Sequence, residues 1–233
     1  RAVEAKDAAE AIERGIELFE HGGRQGGDFA VATLLATQYG LAAMTRANDK
    51  SDDRTQSLRG DCFAGAYTAS KFAGEAMVEG YRRCYGIDQV ILRFSNVYGM
   101  YDDSERLIPE YFRRGRDGRE LPVFGAQKCL DFTYVDDTVQ GIMLTLEKFD
   151  MAKNDTFNIA YGQGTTILHV AERMKELLKS ESPVTVGQSR TGEIFRYVAD
   201  ISKAKRVLGY EPKTPLDRGV EKAVEWYTAN LPQ

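Results

Sequence analysis

The sequence is short of the residues that most metal and thiol chemistry requires. Its three cysteines, Cys62, Cys84 and Cys129, are scattered and form no Cys-x-x-Cys pair. That spacing excludes a disulfide scaffold and the usual zinc sites, and suits a reducing compartment. The two histidines, His21 and His169, lie far apart on segments of helical pattern, which leaves a histidine metal site or a Ser-His nucleophile without support. An excess of positive charge is also missing: 31 Lys and Arg stand against 35 Asp and Glu, a net charge of -4. Nucleic acid and anionic membranes attract basic surfaces, so neither is an expected partner. No apolar run approaches the ~18 residues of a membrane span. No signal-peptide pattern opens the chain, and the expected location is the cytoplasm. The first residue is Arg1 rather than Met, which suggests a fragment, a processed chain or a sequence lacking its true start.

What is present describes an ordinary globular α/β chain. The 233 residues, 42% apolar and 28% charged, suffice for one α/β domain or for one domain with a small lobe. Residues 3–20 carry Val3, Ile12, Ile16 and Phe19 at helical period, and Gly22-Gly23 ends that helix. Phe29 to Ala36 reads as a buried strand. The run Gly22 to Gly27 follows a helix and precedes a strand, the reverse of the context a phosphate cradle needs, and is read as a flexible loop. Residues 45–61, rich in Asp, Arg, Asn, Lys and Ser, read as a solvated loop.

Beyond that loop the patterns sharpen. A helix from Thr68 to Tyr85 is closed by Gly86, and Val90 to Phe94 is a strand. Leu121 to Gly125 is a short strand. Asp136 or Asp137 caps a helix over 138–148. Thr156 to Ala160 is a strand, Thr165 or Thr166 caps an amphipathic helix through Leu178, and Val184 to Val186 is another strand. Helices over Ser202–Leu208, closed by Gly209, and Leu216–Asn230 complete the chain.

The stretch Ala66 to Glu75 carries the chemistry. Tyr67 and Lys71 are one helical turn apart, so phenol and ammonium share a face. A tyrosine titrates near about 10 in water, and a neighbouring cation favours the phenolate, which then exchanges protons near neutral pH.

Four blocks follow one another: Tyr67-Thr-Ala-Ser-Lys71 with Phe-Ala-Gly-Glu75, then Val90-Ile-Leu-Arg-Phe-Ser-Asn-Val-Tyr-Gly99, then Leu130-Asp-Phe-Thr-Tyr-Val-Asp-Asp137, then Thr156-Phe-Asn-Ile-Ala160. In this order and spacing the chain resembles the extended short-chain dehydrogenase/reductase family, specifically its NAD-dependent nucleotide-sugar epimerases and dehydratases, of UDP-glucose 4-epimerase type. The resemblance covers about residues 66–233. It implies a Rossmann-like parallel sheet, its N-terminal part incomplete here, with a smaller C-terminal substrate-binding lobe. Residues 1–120 would form the NAD-binding part, interleaved with later segments, and residues 121–233 mainly the sugar-nucleotide lobe.

The resemblance also implies roles. Tyr67 and Lys71 would be catalytic, with Lys71 holding the nicotinamide ribose of a bound NAD. Ser95 would face the nicotinamide and Asn96 the substrate diphosphate. Leu107, Val123 and Phe124 match substrate-contacting positions. Arg190-Thr-Gly-Glu193 matches an element whose arginine holds diphosphate and whose carboxylate meets ribose. Thr37 or Thr33 would supply the third hydroxyl from a shifted position, because Leu35 stands where the family has Ser or Thr. A second departure is Leu130, in place of an arginine that binds diphosphate in many relatives; Lys128 or Arg190 would have to replace it.

A homodimer through a four-helix bundle containing the Tyr-Lys helix is implied as well. The expected activity is epimerisation of a UDP-sugar at C4. A 4,6-dehydratase commonly has an Asp-Glu pair beside the hydroxyl-bearing segment, and Leu35 to Gln38 contain no carboxylate. A truncated relative that binds a sugar nucleotide or a partner without catalysis is the alternative of another class.

Overall fold

The computed structural model describes residues 33–36, 66–188 and 195–231, with side chains from residue 71 onward. The expected helix over 3–20, the glycine run, the loop over 45–61, and Thr37, Arg190 and Glu193 lie outside the described residues.

Among the described residues a three-stranded parallel sheet is the first layer. Its strands are β1 (Thr33–Ala36), β2 (Val90–Phe94) and β6 (Asp155–Ile159), in the order β1-β2-β6. Leu34 pairs with Ile91, and Leu92 with Phe157. The helix α1 (Ala66–Tyr85) connects β1 to β2 and packs on β1. Gly86 ends it with φ 69°, the left-handed conformation that glycine takes without a Cβ penalty, and its N–H bonds to the Arg82 carbonyl. Arg82 and Arg83 occupy the last turn, where cations complement the helix dipole, and both bond Glu79 at 2.8 Å. The strand β2 is apolar but for Arg93 and nearly all buried, as a central parallel strand is expected to be.

The remaining elements alternate between this sheet and a second assembly. They are β3 (Asn96–Tyr98), α2 (Leu107–Arg116), β4 (Leu121–Phe124), β5 (Cys129–Tyr134), α3 (Val135–Glu147) and α4 (Phe149–Ala152) before β6. After β6 come β7 (Gly164–Thr166), α5 (Ile167–Leu178), β8 (Val184–Gly187), β9 (Arg196–Tyr197), α6 (Ser202–Leu208) and α7 (Leu216–Asn230). The strand β5 is a hub: it pairs parallel with β3 and β9 and antiparallel with β7. A separate parallel pair joins β4 and β8.

Two apolar clusters hold these layers. One gathers Tyr98, Tyr111, Phe112, Leu121, Phe132, Val170, Met174 and Tyr227 under α2, α5 and α7. The other gathers Leu92, Phe94, Phe157, Ile159, Ile201, Leu208 and Tyr210 around the parallel sheet. Among the described residues no helix is long and apolar enough to cross a membrane, and no group of three His, Cys, Asp or Glu could hold a metal ion.

The chain punctuation expected from the sequence is largely observed. Thr166 caps α5, its hydroxyl accepting the His169 N–H at 3.2 Å, and Gly209 closes α6. One expectation is corrected. Asp136 and Asp137 do not cap the helix that follows them, because α3 starts at Val135 and both lie inside its first turn. Asp137 is buried and instead accepts the N–H groups of Lys213 at 2.8 Å and Thr214 at 2.9 Å, which pins the segment leading into α7.

Close helix-to-sheet packing yields a first prediction. A Cβ on Gly141 of α3 would sit 2.5 Å from Cγ2 of Ile159, a fully buried side chain of β6. Alanine gains about 1 kcal/mol of helix propensity over glycine, whereas overpacking a closed core costs about 1–3 kcal/mol. Gly141→Ala is expected to lose about 1 kcal/mol or more of unfolding free energy in urea denaturation. Gly80→Ala on α1, where nothing lies within 4 Å, gains about 0.5–1 kcal/mol. A stabilised Gly141→Ala protein would contradict this packing.

Candidate functional site

Ligands of open α/β sheets bind beyond the carboxyl ends of parallel strands, and here that edge is organised by Asp131. Its side chain and main chain serve different segments. The main-chain carbonyl accepts bonds from Ser95 Oγ and, at 2.8 Å, from Asn96 Nδ2, so it holds the turn where β2 passes into β3. The carboxylate accepts the N–H groups of Tyr161 (3.2 Å), Gly162 (3.0 Å) and Ala199 (3.2 Å). That ties the end of β6 and the segment after β9 to the same point. Asp131 is wholly buried, and burial pushes its pKa from 3.8 up to about 6 against the lowering effect of the three N–H bonds.

Beside this hub lies a cavity of about 480 Å³. It brings together Asn96, Leu107, Phe124 and Lys128, four of the residues singled out in the sequence as substrate contacts. Leu130 also lines it, so the position where many relatives carry arginine presents an alkyl wall. Val123 lies outside it: the side chain is fully buried in the first apolar cluster, and its neighbours Pro122 and Phe124 reach the cavity instead. Ser95 and Lys71 are likewise absent from the lining. Ser95 is buried with its hydroxyl engaged by the Asp131 carbonyl, and Lys71 is half-buried on α1. The backbone of α1 is continuous through Tyr67 and Lys71, which stand one turn apart.

The sequence did not single out Arg106 and Arg114, which line the cavity too. Arg114 belongs to a charged run read as a solvated helix end, and it is held by Glu110 at 2.6 Å. Arg106 immediately precedes Leu107 and sits at the N-terminus of α2, whose free N–H groups favour anions. The signal was available: a cation placed one residue before the first helical position of an apolar-periodic segment. The two tyrosines of the lining, Tyr98 and Tyr111, are unsuited to proton transfer. Both are buried, both donate their hydroxyl to a carbonyl, of Leu216 at 3.3 Å and Pro122 at 2.7 Å, and burial pushes both pKa values well above the usual tyrosine range.

A parallel sheet with a helix between two of its strands, and a separate cavity lined by cations, fits a Rossmann-like α/β fold. The chain belongs to the NAD dependent epimerase/dehydratase family, whose model matches residues 27–160. It is 33% identical over 177 residues to the dTDP-glucose 4,6-dehydratase of Haemophilus influenzae, an alignment covering 70% of this chain and 52% of that protein. The chain spans about half the length of the curated relatives it matches.

Among solved structures it is similar to the UDP-glucose 4-epimerase of Thermotoga maritima with UDP-glucose. The TM-score is 0.71 at 26% identity, over 93% of this chain and 69% of that one. It is also similar to a dTDP-glucose 4,6-dehydratase of Streptomyces venezuelae with NAD bound, with a TM-score of 0.74 at 26% identity, over 91% of this chain and 64% of that one.

Of the cofactor positions expected from the sequence, Lys71 and Ser95 have described side chains. Lys71 is half-buried on α1, with the small residues Ala73 and Gly74 just beyond it, and α1 packs on β1. A glycine-rich turn to hold the pyrophosphate is not among these residues.

The Asp131 hub yields a second prediction, on stability against pH. Its folded pKa is raised, so between the unfolded value of 3.8 and about 6 the native chain holds a proton that the unfolded chain has released. Asp131 therefore contributes stability that is complete below pH 3.8 and lost as pH rises through about 6. At about 1.4 kcal/mol per pH unit the change is about 3 kcal/mol. Asp131→Asn should flatten this dependence. It should also cost about 2 kcal/mol at pH 5, because an amide NH2 then faces backbone donors. Urea denaturation from pH 4 to 7 measures both, and a wild-type stability that rises steadily across that range would refute the assignment.

Proposed function

We propose that the protein epimerises a nucleotide sugar, a UDP-sugar at C4, with NAD as the hydride carrier. The observation that carries this is the convergence of Asn96, Leu107, Phe124 and Lys128 on one cavity, in a chain whose α1 carries Tyr67 and Lys71 one turn apart. The cavity's cations, Arg106 and Lys128, suit a diphosphate, and Phe124, about one third exposed, offers an aromatic wall for a base.

NAD, when bound, accepts a hydride from a carbinol carbon and returns it. The chain's own residues manage the proton. Tyr67 takes it from the C4 hydroxyl, and Lys71 holds the nicotinamide ribose and favours the phenolate. Rotation of the keto sugar before Tyr67 gives the proton back inverts C4. The stretch from Leu35 to Gln38, which begins at the carboxyl end of β1, contains no carboxylate to eliminate water, and this supports epimerisation over 4,6-dehydration. The dehydratase is the second reading, supported by the 33% identity to the Haemophilus influenzae enzyme. A homodimer belongs to the same proposal. It is supported by the exposed stripe Met77, Tyr81 and Tyr85, spaced four apart on α1.

Mass spectrometry of the nucleotide released on denaturation, followed by assay of UDP-glucose/UDP-galactose interconversion, tests the proposal. The expected results are released or titratable NAD and a kcat that falls about 10²–10⁴-fold in Tyr67→Phe. A 4-keto-6-deoxy product would transfer the assignment to dehydration. A chain that neither carries nor binds NAD, yet binds the sugar nucleotide, would be a non-catalytic binding protein. For assembly, light scattering should give twice the monomer mass for the wild type and the monomer mass for Met77→Glu; a monomeric wild type rejects the dimer.

A further inference from the structure

Asp102, Glu105 and Arg106 line the cavity, and all three belong to the segment that joins β3 to α2. Local bonds run along that segment. Asp102 Oδ1 accepts the Ser104 N–H at 3.2 Å and the Ser104 hydroxyl at 2.6 Å, and Ser104 Oγ accepts the Arg106 N–H at 3.3 Å. Other elements hold it from outside: Arg113 donates to the Asp103 carbonyl at 3.0 Å and to the Ser104 carbonyl at 2.5 Å, and Tyr227 of α7 donates to the Gly99 carbonyl at 3.0 Å. Between these anchors stands Tyr101.

Tyr101 has φ 66°, a left-handed conformation that is costly for a residue with a bulky side chain. Two other described residues besides glycine share a positive φ. Asn154 is of a type that tolerates it, and Lys179 closes α5 in it. Tyr101 needs another explanation. It is 81% exposed, so burial does not hold it. Its ring lies 5.0 Å from that of Trp226 on α7, and Trp226 in turn meets the fully buried Tyr227 edge-on at 5.8 Å. A ring contact of this kind offsets strain of the size that a left-handed residue carries. The first residue past Tyr101 is Asp102, where the bonded run to Arg106 begins.

We propose that Tyr101 is a positioning residue: stacked on Trp226, it locks the chain in the left-handed turn from which Asp102 and Arg106 enter the cavity, and so places the Arg106 guanidinium for the ligand's diphosphate. The diphosphate as target of Arg106 rests on the proposed function, whereas the Tyr101–Trp226 clasp does not. Two plainer roles make different predictions. A surface ring pair that only packs leaves ligand affinity unchanged when Tyr101 is cut back. A tyrosine that touches the ligand itself is not replaced by asparagine, which has no ring but takes the left-handed conformation readily.

The experiment compares the full chain with Tyr101→Phe, Tyr101→Ala and Tyr101→Asn. Hydrogen exchange of the ligand-free protein, read in the peptide covering residues 99–107 against peptides of α7, reports the turn. Calorimetric titration with UDP reports its use. Tyr101→Ala loses the stack and keeps the unfavourable φ; exchange in that peptide is expected to speed up about 10-fold, and the UDP Kd to rise about 10-fold. Tyr101→Phe keeps the ring and should match the wild type in both. Tyr101→Asn should return both to within about threefold of the wild type, because its backbone needs no clasp. All three variants should keep the wild-type urea midpoint, since the residue is mostly exposed.

Wild-type exchange in Tyr101→Ala, or a Tyr101→Asn protein as loose and as weak in binding as Tyr101→Ala, overturns the inference. Faster exchange in Tyr101→Ala with an unchanged UDP Kd overturns the positioning of Arg106. A wild type that binds no UDP, in a series that follows the expected exchange pattern, refutes the diphosphate reading of the cavity and leaves the clasp established.

Discussion

A single buried carboxyl group holds the ligand edge together. Asp131 sits in β5, the strand with most neighbours, and its main-chain oxygen and carboxylate are aimed at different segments. Three N–H groups find an acceptor there; Tyr161 N–H is shared with Thr133 Oγ1 at 3.0 Å, whereas a buried N–H such as that of Ala199 left unpaired would cost about 1–3 kcal/mol. The same residue's carbonyl fixes the turn that delivers Asn96 to the cavity. One residue whose side chain lies outside the cavity lining thus fixes the position of Asn96 within it. Asp137 repeats the device at the start of α7. Both acids belong to the Leu130–Asp137 block, so a short stretch of sequence orders both ends of the second layer.

Tyrosines are numerous in this chain, and the environment decides which of them can exchange protons. Tyr98, Tyr111, Tyr210 and Tyr227 are buried with hydroxyls donated to carbonyls, and for each the low-dielectric surroundings disfavour the phenolate. They act as hydrophobic bodies with one polar tether, joining Tyr98 to α7 and Tyr111 to β4. A phenol that works as a base needs the opposite arrangement, a cation nearby and access to a ligand. Tyr67 and Lys71, one turn apart on a continuous helix, offer such a pairing by their spacing.

Much of this was legible in the sequence because the signals are local. A helix closed by Gly86, a Thr166 cap and a central strand of buried apolar residues each depend on side chains within a few positions, and the structure shows them at the expected places. The failures share a cause in long-range pairing. Asp137 has the chemistry of a cap, but its acceptors were claimed by residues 76 and 77 positions away, and α3 began earlier. Val123 alternates with Pro122 and Phe124 on β4. A strand's period of two allows only one side of it to face the cavity, and which side is set by the partners α2 and α5, not by the strand. Ser95 and Asn96 are polar residues after a strand, and sequence alone could not tell that both side chains share one carbonyl 35 and 36 positions away.

The departure at Leu130 takes on a physical meaning once the cavity is seen whole. An arginine there would offer a two-pronged contact to a diphosphate from the strand β5. Leucine instead packs against both apolar clusters and stiffens the junction between them. The positive charge at the cavity comes from other elements, Lys128 at the approach to β5 and Arg106 at the N-terminus of α2. An ammonium and a helix terminus attract an anion without fixing its orientation as a guanidinium fork does. If the cavity holds a diphosphate as proposed, Leu130 would move its recognition toward charge and shape, with α2 offering both a cation and its N-terminal N–H groups.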